Sequence, residues 1–173
     1  MAEAAPAMQT GEAPREAPEP TIRARGLDLT FQTADGPVQA LSDIDLEIGT
    51  GEFVSFIGPS GCGKTTFLRV VAALEQPTGG TITVNGMSPD DARQARAYGY
   101  VFQAAGLYPW RTIAGNVKLP LEIMGFSRAE QEDRVRKVLA LVELDGFEGK
   151  FPWQLSGGMQ QRASIARALS FDA

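Results

Sequence analysis

The 173 residues carry a net charge of −5, with 43% hydrophobic and 21% charged residues, an ordinary balance for one globular domain. Glu3, Glu12, Glu16 and Glu19 outweigh Arg15 in the first twenty residues, and the rest has no basic excess, which argues against a nucleic-acid binder. The single cysteine, Cys62, excludes a disulfide within the chain, no apolar run reaches the roughly eighteen residues of a membrane helix, and the acidic, Pro-rich start is unlike a secretory signal.

Residues 1–20 are almost all Ala, Pro, Glu and small polar types. They offer too little apolar surface to offset the entropy of ordering, so a disordered tail is predicted, with a docking peptide as the alternative. "TIRARGLDLTFQT" alternates through Ile22, Leu27, Leu29 and Phe31 and reads as a strand. "ADGP" supplies a turn, and "VQALSDIDLEI" gives further extended pieces. "EFVSFIG" (Glu52 to Gly58) is a short apolar run ending in glycine, the mark of a buried strand. "KTTFLRVVAAL" places Phe67, Val70, Val71 and Leu74 at helical spacing, predicting a helix over Lys64 to Leu74. "GGTITVNG" reads as a strand and a turn at Asn85-Gly86, and "YGYVFQ" (Tyr98 to Gln103) as another strand. From Thr112 the pattern turns helical. Ser127 and Glu130 form a capping box, and Ser156 caps a last helix from near Gly157 to about Ser170. Trp153 is expected in the core.

"GPSGCGKTT", from Gly58 to Thr66, fits G-x-x-x-x-G-K-[ST] between a predicted strand and a predicted helix. Gly58, Gly61 and Gly63 let the backbone curl with its N–H groups inward. Pro59, Ser60 and Cys62 complete the loop. Lys64 brings a full positive charge, which outweighs the helix dipole as an attraction for phosphate. Thr65 offers a hydroxyl to Mg²⁺, and Thr66 follows it into the helix. The competing reading is a flexible glycine turn. Cys62 is read as a small residue whose backbone N–H matters, with a redox role as the alternative. A phosphate loop alone names a superfamily, not a task.

"LSGGMQQR" adds a second glycine turn. Ser156 caps a helix, and Gly157 and Gly158 expose its free N–H groups. Taken with Gln103 at the end of "YVFQ", these residues carry a resemblance to the ATP-binding subunits of ABC transporters. "GPSGCGKTT" corresponds to Walker A, Gln103 to the Q-loop glutamine and "LSGGMQQR" to the signature; "GGTITVNG" and "IARAL" also look like family stretches. The resemblance implies an α/β fold of the P-loop NTPase class. Its parts would be an N-terminal antiparallel β subdomain, a helical subdomain over about 104–160 and an incomplete core sheet, with 21–173 a partial ATP-binding domain. It further implies ATP and Mg²⁺ as ligands, with Lys64 and Gln103 catalytic, Thr65 and Gln103 toward the metal, and Phe31 on adenine or in the core. Ser156, Gly157 and Gly158 would meet the γ-phosphate held by a second ATP-binding subunit in a head-to-tail dimer.

In that family a Walker B aspartate, a catalytic glutamate and a switch histidine follow the signature. None is assigned in this sequence, so the expectation is a domain cut short and inactive alone. The implied partners are a transmembrane permease subunit and, indirectly, a periplasmic or extracellular solute-binding protein. The implied location is the cytoplasmic face of the cell membrane. Pro109-Trp110-Arg111 and Met159 resemble the nitrate, sulfonate and taurine importers, while Ala104, Ala105 and Gly115 depart from them. Tyr108 and Trp110 either line the groove for the membrane subunit or pack within the helical lobe. The alternative function is a non-catalytic nucleotide-binding module paired with an intact subunit.

Overall fold

A computed structural model describes residues 19–171. The predicted tail at 1–20 lies almost wholly outside the described residues. Two compact units share the chain, one ending at Ser88 and the other beginning at Pro89.

The first unit is built on an antiparallel sheet of three strands in the order β2-β1-β3. β1 (Ile22–Thr33) is central, flanked by β2 (Gly36–Ile48) and β3 (Gly79–Val84). Ile22 faces Ile48 on one side and Val84 on the other. "VQALSDIDLEI" is thus one long strand, because the tight turn after Thr33 pairs it with β1 from Gly36 onward. Gly80 has φ +73°, and a Cβ there would collide with the Gly26 carbonyl. Only glycine lets β3 approach the irregular middle of β1 so closely. One face of the sheet buries Ala24, Leu27, Leu29, Leu41 and Ile82 against Phe67 and Val70 of α1 (Lys64–Val71).

Three local expectations fail here. α1 ends at Val71, short of Leu74, which is 42% exposed. The segment Glu52 to Gly58 is no strand: it has no regular structure, and Phe53 and Ile57 are 96% and 95% exposed. Strands exist only as pairs, and the one sheet described has no place for this run. Tyr98 to Gln103 likewise forms no strand.

The second unit is helical. It contains α2 (Pro89–Gln94), α3 (Ile113–Ile123), α4 (Arg128–Leu141), a 3₁₀ turn (Pro152–Gln154) and α5 (Gly157–Leu169). Its core joins Ile113, Val117 and Leu121 of α3, Val135 and Leu139 of α4, and Ala163 and Ala166 of α5 with Leu144 and Leu155. Ala163 and Ala166 of α5 are fully buried in it. The capping box at α4 forms as expected, with Ser127 and Glu130 each satisfying the other's backbone N–H. Trp153 is not in the core but 71% exposed, its ring stacked on Phe151 at 6.1 Å. In the 3₁₀ turn Pro152 is the buried residue, and Trp153 next to it faces out. Among the described residues no helix is long and apolar enough to cross a membrane.

Candidate nucleotide-binding site

The loop is exposed from Gly58 to Cys62 and delivers the chain into α1 through the half-buried Gly63, its N-cap, at φ 91°. A Cβ at Gly63 would lie 2.7 Å from the Ala40 carbonyl oxygen, and one at Gly58 would lie 2.8 Å from Cys62 Sγ. The Ala40 carbonyl is backbone and cannot yield, so Gly63 is fixed by close approach, whereas at Gly58 the exposed Cys62 side chain could turn aside. Gly61 has φ +82° but open space around it; its requirement is conformational. The Lys64 ammonium donates to the carbonyl oxygens of Gly58 at 2.8 Å and Pro59 at 2.7 Å, and lies 3.3 Å from Cys62 Sγ. The lysine therefore closes the loop over itself and sits among the backbone groups at the start of α1. No acidic side chain occupies the first turn of α1, so nothing there neutralises the positive end of the helix.

Thr65 is exposed and Thr66 half-buried on the first turn of α1. Pro59, Ser60 and Cys62 are exposed in the loop. Phe31 is half-buried, opposite Val38, and packs at the rim of the sheet's core. Below the loop lies a cleft of about 400 Å³ lined by Leu41, Ile44, Leu46, Phe56 and Phe67 together with Lys64.

In the helical unit Ser156 is the N-cap of α5, accepting from the Met159 N–H at 3.3 Å. Gly157 and Gly158 are exposed, and a Cβ on either would meet nothing within 4 Å. No contact inside the unit demands glycine there. The first turn of α5 also lacks acidic residues, whereas α2 opens with Asp90 and Asp91 and α4 with Glu130. The turn is braced from behind. Gln160 Nε2 donates to the carbonyls of Pro152 and Leu155 at 2.9 and 3.2 Å, and Arg162 donates to Val142 O at 2.8 Å.

Gln103 is exposed in the same unit, on a stretch without regular structure. Two residues missed by sequence reasoning hold that stretch. Arg167 of α5 donates to the carbonyls of Gly106 and Ala105 at 2.9 and 3.0 Å. Burial pushes its guanidinium below its ordinary value, partly opposed by Tyr108, but a guanidinium keeps its charge at any ordinary pH. Asn116 of α3 is fully buried. Its Oδ1 accepts from Tyr108 N at 2.7 Å, and its Nδ2 donates toward the carbonyls of Tyr108, Arg111 and Thr112. The one available signal was an asparagine amid the apolar positions of α3. Tyr108 and Trp110 form a tilted ring pair at 5.1 Å and are 40% and 71% exposed.

The loop, the capped glycine turn and Gln103 thus belong to two units, each preorganised locally. The ABC transporter family model matches residues 41–173. The chain is 42% identical over 151 residues to an uncharacterized ABC transporter ATP-binding protein of Methanocaldococcus jannaschii, covering 87% of this chain and 56% of that protein. It is 45% identical to the taurine import ATP-binding protein TauB of Pseudomonas putida, covering 84% of this chain and 54% of TauB. With the methionine import ATP-binding protein MetN of Symbiobacterium thermophilum it shares 43% identity, over 86% and 47% of the two chains. A solved dimer of the ATP-binding cassette MJ0796, bound to ADP and Pi, superposes with a TM-score of 0.75 at 37% identity, covering 86% of this chain and 69% of that one. The chain belongs to the ABC transporter family and has the fold of its nucleotide-binding domain, a P-loop NTPase. It spans about half the length of the curated relatives it matches.

Proposed function

We propose that the chain is the nucleotide-binding part of an ATP-binding subunit of an ABC import system, in which ATP binding and hydrolysis drive uptake of a small solute. The observation that carries this reading is the Gly58–Thr65 loop, with the Lys64 ammonium held among backbone groups at the unneutralised start of α1. The residues suit a nucleotide's phosphates. Gly63 stands where a side chain would not fit and in a left-handed conformation, and Gly61 shares that conformation, the kind of backbone that lets a loop turn its N–H groups toward an anion. With a nucleotide bound, the Lys64 Nζ would give up its carbonyl partners for phosphate oxygens, which as charged acceptors hold an ammonium more strongly. Mg²⁺ bound with the nucleotide would neutralise charge on the terminal phosphates. The Thr65 hydroxyl and the Gln103 side-chain oxygen are the groups of this chain that would face it, and Gln103 would also orient the attacking water. Phe31 would contact adenine.

Ser156, Gly157 and Gly158 would close over the triphosphate held by a second subunit in a head-to-tail dimer. The open space at both glycines supports this, since it leaves their requirement to something outside the unit. A transmembrane permease subunit and, indirectly, a periplasmic or extracellular solute-binding protein would complete the system, with this subunit at the cytoplasmic face of the cell membrane. Similar identity to taurine and methionine subunits favours neither solute by itself. Pro109-Trp110-Arg111 and Met159 incline the reading to an anion such as nitrate, sulfonate or taurine. The 173-residue polypeptide by itself has no residue assigned as catalytic base, so its turnover is expected to be trace at most. The test of the binding role is titration with ATP and Mg²⁺. Saturable binding that is lost on Lys64→Ala supports it, and equal affinity in both proteins overturns it.

A second reading has the chain as a non-catalytic module that lends its signature turn to an intact partner. The exposed, fully braced Ser156–Gly158 turn favours it. Copurification with a full-length partner whose ATPase activity is lost on Ser156→Arg in this chain would select it.

A further inference from the structure

The stretch from Gly99 to Tyr108 has no regular structure, yet it is held at point after point. Gly99 packs so close to the end of α5 that a Cβ there would lie 2.8 Å from the Ala168 carbonyl oxygen. Gln161 of α5 donates from Nε2 to the Phe102 carbonyl at 3.2 Å. Arg167, further along the same helix, donates its two terminal nitrogens to the consecutive carbonyls of Ala105 and Gly106. Between these anchors Gln103 and Ala104 remain exposed.

We infer that Arg167 and Gln161 are positioning residues for Gln103, fixing the backbone on both sides of it and tying it to the helix that begins at the Ser156–Gly158 turn. This rests on the reading of Gln103 given above. The geometry explains the residue types. A guanidinium is a planar fork that reaches two successive carbonyl oxygens at once, which a lysine ammonium on a flexible stem does far less well. A glutamine amide supplies the single donor needed on the other flank. Because both donors come from α5, the carbonyls on either side of Gln103 are fixed relative to the helix that begins at the Ser156–Gly158 turn. A glutamine on an untethered loop would lose that register, and with it the preorganisation that makes a polar side chain useful toward a metal or a water.

The test uses the full-length protein with Arg167→Lys, which keeps the charge and loses the fork, and separately Gln161→Leu, which removes the other anchor at similar size. Amide hydrogen exchange over residues 102–108 and the Mg²⁺ dependence of ATP binding and turnover are measured together. In either variant exchange should quicken about tenfold or more. Half-saturating Mg²⁺ should rise about threefold or more, while KM for ATP at saturating Mg²⁺ stays within about twofold. Added to Gln103→Ala, neither substitution should reduce turnover further, as expected for residues acting through one group. Unchanged exchange and an unchanged Mg²⁺ response in variants that keep the native melting temperature would overturn the inference. Faster exchange with an unchanged Mg²⁺ response would also overturn it, leaving a purely structural clamp. If Gln103→Ala by itself leaves the Mg²⁺ response intact, the reading of Gln103 fails and the positioning role falls with it.

Discussion

The Lys64 ammonium lies 2.7 Å from the Pro59 carbonyl oxygen, within the loop the lysine is proposed to serve. The contact gives Lys64 a defined place without a ligand, at the cost of only loop hydrogen bonds when it is removed. Lys64→Ala should therefore keep the fold and lower ATP affinity at least about tenfold, since hydrogen bonds to charged groups contribute roughly 1.5–3 kcal/mol. Isothermal titration on the folded variant measures it. An affinity within about twofold of the unaltered protein would contradict the role.

Gly158→Ala separates a structural glycine from a functional one. A Cβ there meets nothing, and alanine favours a helix over glycine by up to about 1 kcal/mol. The melting temperature should hold or rise slightly. ATP-driven association of two copies should nevertheless fall, because the added methyl stands where a phosphate must approach. A protein that melts lower but still dimerises with ATP would reverse the assignment.

Asn116→Leu tests the buried bracket beneath Tyr108 to Thr112. Leucine leaves the Tyr108 N–H and several carbonyls without their side-chain partner. The expected loss is about 2–4 kcal/mol in urea unfolding, the scale of unsatisfied buried polar groups. A change within about 0.5 kcal/mol would mean that these groups find other partners.

The capping box gives a pH signature. Hydrogen bonds from the Ser127 side chain and backbone hold the exposed Glu130 carboxyl below its ordinary value. A carboxylate with a depressed native pKa stabilises the fold above its unfolded pKa, about 4.3 for glutamate, and loses that effect as pH falls through the folded value. The difference in melting temperature between the unaltered protein and Ser127→Ala should thus be constant near neutrality and shrink below about pH 4. A difference that grows on acidification would exclude the cause given.

Phe53 and Ile57 are almost fully exposed on an unpaired apolar run, a template for intermolecular strand pairing. The 173-residue polypeptide should aggregate, and Phe53→Lys with Ile57→Lys should raise its soluble fraction. A sharp cooperative melt and a monomeric elution profile for the unaltered polypeptide would count against this.

What could be read from the residues follows from the range of the interactions. The Gly58–Thr65 loop, the Ser127–Glu130 box and the Ser156 cap were legible because each is complete within a few residues. The strands proposed at Glu52–Gly58 and Tyr98–Gln103 were not secure, because apolar character says nothing about whether a neighbouring strand is there to pair. Trp153 shows the same limit: its side chain is apolar, yet in the 3₁₀ turn it is Pro152 that is buried and Trp153 that is exposed. α2 was missed although Ser88-Pro89-Asp90-Asp91 is a helix-start pattern, with proline at the first position and acids in the first turn. Asn116 and Arg167 act on carbonyls reached only through tertiary packing, which no spacing in the chain announces.

The central claim is that the Gly58–Thr65 loop and the Ser156–Gly158 turn grip one triphosphate from two copies of the protein. Sedimentation of the full-length protein carrying Gln103→Ala, to slow hydrolysis, tests it directly. The account expects monomers without nucleotide, dimers with ATP, and no dimers with ATP when either Lys64→Ala or Ser156→Arg is added. A monomer that binds ATP at saturation, or a dimer indifferent to both substitutions, would contradict it.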